Sequence, residues 1–255
     1  MKFRKILPLF FAGSLLSVAQ ASVIYQATTN NINTIENTVN GTTTQSESGG
    51  VLTVTQNGNG NYNGGFASSQ DIDTLLGRPL LATETVRLQL TVDSMNFDLS
   101  ANGFEFGLSP NGTAFRPGGH LIFQIRPNDQ IGSIANNAFD GGTNNVGFGL
   151  TEASVLDGFS GTLLASQSGY TFSFQDVVLS SGAAATYSGT FASPAEFQSV
   201  VGGGHFYTTS QKAGTPNPAS FDISVASIDV IPEPSSIGLG LLGAVALFVR
   251  QLRHV

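Results

Sequence analysis

The sequence predicts an all-β fold, an antiparallel β-sandwich, and three observations predict it. Apolar and polar residues alternate with period two along much of the chain. Clusters of glycine, asparagine and proline separate the alternating runs. Only 11% of the residues are charged, while glycine supplies 31 of the 255. Period-two alternation marks strands with one buried face and one wet face. Glycine and asparagine give the positive φ of tight turns, and small polar side chains suit the wet face.

The elements follow in order. Val51–Thr55 is a first candidate strand. Val86, Leu88, Leu90 and Val92 share a face, with Arg87, Gln89 and Thr91 opposite. Phe104, Phe106 and Leu108 alternate with Glu105 and Gly107, which the pattern assigns to the wet side. Leu121, Phe123 and Ile125 form the next face, and residues 145–151 a further run. Tyr170, Phe172 and Phe174 alternate with Thr171, Ser173 and Gln175. Thr186–Phe191 and His205–Thr209 complete the middle of the chain. In Phe221–Val230 the apolar phase passes from Phe221, Ile223 and Val225 to Ala226, Ile228 and Val230, which predicts a bulge near Ala226. One short helix is expected after Ser193, with Pro194 at its first position, Glu196 closing a capping box and Gly202 ending it. Ten or more short strands with almost no helix favour a jelly roll of the concanavalin-like kind over a propeller or an up-and-down barrel.

Charge and composition exclude several classes. Between Ser22 and Val230 five basic residues face sixteen acidic ones, which leaves the body near −11. Such a field repels nucleic acid, so no nucleic-acid partner is expected. The absence of cysteine removes disulfides, thiolate zinc sites and a cysteine nucleophile. A body of residues 22–230 is large enough to hold together by its core alone.

The two ends read as targeting segments. Lys2, Arg4 and Lys5 precede an apolar run, Ile6–Val18, and Ala19-Gln20-Ala21 fits a small-x-small cleavage site. Residues 1–21 are therefore expected to be a secretory signal peptide, cleaved after Ala21 and handled by the Sec export machinery. Residues 231–255 form the other segment. Pro232-Glu233-Pro234 is followed by an uncharged apolar stretch, within a membrane segment of residues 236–249, and by Arg250 and Arg253. The prolines favour an extended, accessible segment, the glycines of the stretch suit close helix packing in a membrane, and the arginines belong on the cytoplasmic side.

That order of parts resembles the PEP-CTERM sorting domain of Gram-negative bacteria. The resemblance rests on about 25 residues and leaves the body unassigned. It implies recognition by an exosortase, transient membrane attachment through the C-terminal helix, and delivery to the cell envelope, outer surface or extracellular matrix. It also implies a setting of exopolysaccharide and biofilm. Pro232, Glu233, Pro234, Arg250 and Arg253 are the residues that match the family's motif.

Candidates for a site within the body are few. Glycoside cleavage needs two carboxylates flanking one bond, and Glu105 stands alone on its strand. His120 and His205 begin separate strands with no ligand spacing between them. There is no Gly-x-Ser-x-Gly elbow and no phosphate-binding loop. Asp71 and Asp73, on one side of an extended segment, offer oxygen to Ca²⁺. Tyr62, between asparagines, is the loop tyrosine best presented as a platform for a sugar. The expected function is a non-enzymatic surface or matrix protein associated with extracellular polysaccharide. A calcium-dependent carbohydrate-binding module is one alternative, and a glycoside hydrolase or lyase is another.

Overall fold

A computed structural model of the chain describes residues 20–232 apart from 37–40, 59–60, 97–98, 116–117, 127–129, 136–137, 141–156, 177–184 and 214–217. The chain divides into two units, Ala21–Ile231 and the two ends, Met1–Gln20 with Pro232–Val255. In chain order the described strands are β1 (Ser22–Gln26), β2 (Ile32–Glu36), β3 (Gly41–Ser48), β4 (Val51–Gly58), β5 (Asn61–Ser68), β6 (Glu84–Asn96), β7 (Leu99–Ser109) and β8 (Leu121–Arg126). They continue with β9 (Gln130–Ala135), β10 (Ala138–Asp140), β11 (Phe159–Ser166), β12 (Gly169–Asp176), β13 (Ala185–Gly189), β14 (His205–Ala213) and β15 (Ala219–Pro232). Helix α1 spans Ile72–Leu76, and α2 spans Pro194–Phe197 and runs into a π-helical turn, Gln198–Gly202.

The strands form two sheets. The eight-stranded sheet runs β13-β12-β11-β6-β15-β4-β3, with β1 added to β15. The seven-stranded sheet runs β10-β9-β8-β7-β14-β5-β2. Neighbours such as β6 and β11, β15 and β4, or β7 and β14 pair antiparallel. The expected sandwich is thus present, and its sequence-distant neighbours are those of a jelly roll rather than of a meander.

The core lies between the sheets. Val86, Leu88, Leu90 and Val92 are buried from β6, and Phe104, Phe106 and Leu108 from β7. Rings meet edge to face or stacked, as in Phe104–Phe159 at 4.9 Å, Phe106–Phe172 at 5.9 Å and Phe123–Phe172 at 5.1 Å between centroids. Each buried phenylalanine stabilises the fold by about 1.5–3 kcal/mol. A phenylalanine-rich core of this kind supplies the cohesion of a domain that has no cysteine for disulfides.

The phase change in β15 and the capped turn at Ser193 are present, and a register irregularity lies in the partner strand β1, between Val23 and Tyr25. In β15, Phe221 and Ile223 are buried, Val225 is exposed, and Ala226, Ile228 and Val230 are buried again. The phase changes where the partner changes: Ala219–Ile223 pairs with β4, and Ser227–Val230 pairs with β1. Ser193 caps α2 by accepting from the Glu196 N–H, and the Glu196 carboxylate accepts from the Ala192 N–H. Gly202 is the last residue of the π-helical turn.

Other expectations are corrected. Glu105 is buried, not on a wet face, because the outward side of the seven-stranded sheet carries a second small cluster of Ile35, Ala67, Ile122 and Tyr207, with Phe115 from the β7–β8 connection packed on it. Asp71-Ile72-Asp73 is not extended: Asp71 caps α1, Asp73 lies inside it, and Gly77 ends it at φ 67°. The stretch containing Tyr62 is strand β5, not a loop. The expected strand at 145–151 lies outside the described residues.

Candidate functional site

The outward face of the seven-stranded sheet holds Glu105 at its centre. Its cross-strand neighbours are Gln124 on β8 and Thr209 on β14. Gln124 Nε2 donates to Glu105 Oε1 at 2.6 Å, and Thr209 Oγ1 donates to Oε2 at 3.3 Å. The Thr209 hydroxyl also lies 3.3 Å from the Tyr207 hydroxyl. All four side chains are buried. Gly103 and Gly107 flank Glu105 on the same face of β7 by strand alternation, so none of its immediate neighbours in the sheet is a second carboxylate. The bonds from Gln124 and Thr209 hold both oxygens of the Glu105 carboxylate in a buried hydrogen-bonded network.

Asp71 and Asp73 serve the backbone. Asp71 Oδ1 accepts from the Thr74 N–H at 2.7 Å, a helix N-cap. Asp73 Oδ1 accepts from the Leu80 N–H at 2.8 Å, and Oδ2 accepts from Gln198 Nε2 at 2.8 Å, which ties α1 to the π-helical turn. A hard cation takes six to eight oxygens. Among the described residues no three acidic or histidine side chains gather to hold a metal. In this structure both aspartates are engaged as acceptors of protein N–H groups.

The remaining candidates are separate from these. Tyr62 is in register with Lys212 of β14. His205 Nδ1–H donates to the Ser68 carbonyl at 2.8 Å, and His120 is buried just before β8. Ala21 directly precedes β1, and Pro232 is the last residue of β15. Ala19, Glu233, Pro234, Arg250 and Arg253 lie outside the described residues. Among the described residues no helix is long and apolar enough to cross a membrane.

The polar phase of the strands builds a surface that the single-residue candidates missed. On the outward face of the eight-stranded sheet, Gln89, Thr162, Ser173 and Thr186 stand in one cross-strand row. Arg87, Leu164, Thr171 and Ser188 stand in the next. Adjacent strands are about 4.8 Å apart, so the hydroxyls meet: Thr91 with Ser160 at 3.1 Å, and Thr171 with Ser188 at 2.9 Å. Farther along the sheet Thr53 donates to Asp222 at 2.7 Å and Ser224 to Asp93 at 2.7 Å. The one guanidinium in these two rows is engaged, with Arg87 Nε donating to Asp229 Oδ2 at 2.9 Å. The face is a lattice of hydroxyls able both to donate and to accept.

No protein-family model matches the chain, and no curated protein matches it. Among solved structures it is similar to arcelin-5, a lectin-like defense protein from Phaseolus vulgaris, at 12% identity and a TM-score of 0.53, covering 84% of this chain and 99% of that one. It is also similar to lectin I from Ulex europaeus, solved in complex with the methyl glycoside of α-L-fucose, at 12% identity and a TM-score of 0.50, covering 83% of this chain and 98% of that one. At such identity the likeness is one of fold: the body has the jelly-roll sandwich architecture of these lectin-like proteins.

Proposed function

We infer that the protein is exported, sorted to the cell surface by an exosortase acting on its PEP-CTERM-type tail, and binds extracellular polysaccharide there without cleaving it. The observation that carries the binding is the hydroxyl lattice on the outward face of the eight-stranded sheet. Sugars are recognised by groups that donate and accept at once, and rows of serine and threonine offer both. The sandwich fold shared with a lectin crystallised on a fucoside supports the reading by analogy. The sheet positions beside Glu105, at Gly103, Gly107, Gln124 and Thr209, carry no second carboxylate, and this speaks against glycoside cleavage there. The tail motif at Pro232-Glu233-Pro234 and the arginines at 250 and 253 support the sorting.

The test is made in an exosortase-bearing Gram-negative host. The full chain is expected in the surface fraction and to cosediment with the host's cell-free exopolysaccharide, with and without EDTA. A chain ending at Ile231 is expected to leave that fraction yet still cosediment. An unchanged location would refute the sorting. A chain that stays in the supernatant whatever polysaccharide is supplied would refute the binding.

A further inference from the structure

We propose that a depression on the outward face of the eight-stranded sheet, at the ends of β11, β12 and β13, is a subsite for one uncharged pyranose unit of a polysaccharide. This rests on the reading that the body binds polysaccharide, and it names where.

The depression has a volume of about 260 Å³. That lies just below the range of small-ligand clefts, roughly 300–1,000 Å³, and suits a single ring better than a chain. Its rim carries the hydroxyls of Thr85, Ser166, Ser168, Thr171 and Ser188. Four of them form two mutual pairs, Ser166 with Ser168 at 2.7 Å and Thr171 with Ser188 at 2.9 Å. A hydroxyl has one donor and two acceptor positions. Each pair uses one donor and one acceptor internally and retains one donor and three acceptor positions toward a ligand. Sugar hydroxyls require that mixture.

Two glycines, Gly169 and Gly189, line the depression where a side chain would not fit. Gly169 has φ 146°, and a Cβ there would come within 2.6 Å of the Gly189 carbonyl oxygen. A Cβ on Gly189 would come within 2.3 Å of the Tyr170 hydroxyl. A side chain at either position would force its surroundings to move; Gly189 is in register with the core-facing Tyr170, so the crowding there is against that ring. Leu164 stands in the wall, 40% exposed among polar neighbours. It offers an apolar patch to the C–H face of a pyranose ring.

Among the described residues the lining contains no carboxylate, ammonium or guanidinium group. The nearest cation in register, Arg87 beside Leu164, is turned to the buried Asp229, with Nη2 2.8 Å from Oδ2. A charged sugar would therefore lose water without gaining a counter-charge.

Affinity electrophoresis of the full chain tests the assignment, in gels containing galactomannan or dextran as neutral probes and alginate as the acidic one. Retardation is expected in at least one neutral gel, and less in alginate. Leu164→Asp is expected to weaken the neutral interaction at least tenfold, and Thr171→Val several-fold. Thr53→Val, on the same face but away from the depression, should leave it unchanged. Melting curves of the variants, expected to match the parent because all three positions face outward, separate loss of binding from loss of fold. Retardation by neutral polysaccharide that survives both Leu164→Asp and Thr171→Val would overturn the subsite while leaving polysaccharide binding intact. Preference for alginate would overturn the uncharged ligand. No retardation in any gel would overturn the binding reading and the subsite with it.

Discussion

At Gly161 the ring of Phe106, from the opposite sheet, occupies the space a side chain would take. A Cβ there would come within 2.5 Å of Phe106 Cε1 and 2.6 Å of Cζ. That ring is itself wedged edge-on against Phe123 at 5.8 Å and Phe172 at 5.9 Å. Close-packed interiors accommodate added methyl groups poorly. Gly161→Val is therefore expected to destabilise the protein by about 1–3 kcal/mol. Thr162→Val, one residue on and facing outward, should stay within about 0.5 kcal/mol. Urea midpoints of the two variants decide it, and equal values would mean that the ring does not pack as described. The alternation in β7 makes Phe106 legible as core from the sequence. The requirement for glycine at 161 is not legible, because it comes from a ring 55 positions away in the chain.

The connection from α1 to β6 illustrates the next scale. Arg78 Nη1 donates to Glu84 Oε2 at 2.8 Å, Nη2 bonds Oε1, and the Leu81 N–H also donates to Oε2 at 2.9 Å. The hydrogen bond from Arg78 is the chief reason that the Glu84 carboxyl sits below its ordinary pKa, and the Leu81 N–H adds to it against the opposing effect of burial. A depressed carboxylate stabilises the folded state above its unfolded pKa, and that stabilisation is lost as pH falls through the folded value. The melting temperature of the parent should thus exceed that of Glu84→Gln at pH 7, and the gap should close on acidification from about pH 4.5 downward. Parallel profiles at all pH values would remove Glu84 as the titrating group. The capping residues of this element were present in the sequence, Asp71 before and Gly77 after, yet five helical residues carry too little apolar periodicity to declare a helix.

For the molecule as a whole the decisive strand is the last. β15 lies inside the eight-stranded sheet, between β6 and β4, with β1 completing its second half. Ser22 is in register with Val230, so the strand after the expected cleavage site starts beside the strand that leads to the tail. The body can therefore close only when the residues up to Val230, just before the proposed sorting motif, are available to pair. A chain ending at Ile231 is expected to melt cooperatively at nearly the parent temperature. A chain ending at Ser224 loses Ala226, Ile228 and Val230 from the core and the partner of β1, and is expected to show no cooperative transition by differential scanning calorimetry. A cooperative transition in the shorter chain would show that β15 is dispensable beyond its pairing with β4.

By itself the sequence determined the all-β class, the inward faces of the best-patterned strands, the phase change in β15 and the capped turn at Ser193. Each is a local pattern of residues a few positions apart, and local patterns survive without knowledge of the partner. The proposed cleavage site and tail motif are likewise read from linear patterns. Strands such as β3, GTTTQSES, and β5, NYNGGFAS, lack that alternation, and only their pairing partners make them strands. Tertiary structure alone decided that Glu105 is buried among Gln124 and Thr209, and that Asp73 is held by Leu80 and Gln198. It also decided that hydroxyls from β11, β12 and β13 surround one depression. The reason is physical: a side chain's chemistry is written in its own residue, but its burial and its neighbours are set by strands that the chain brings together from far away.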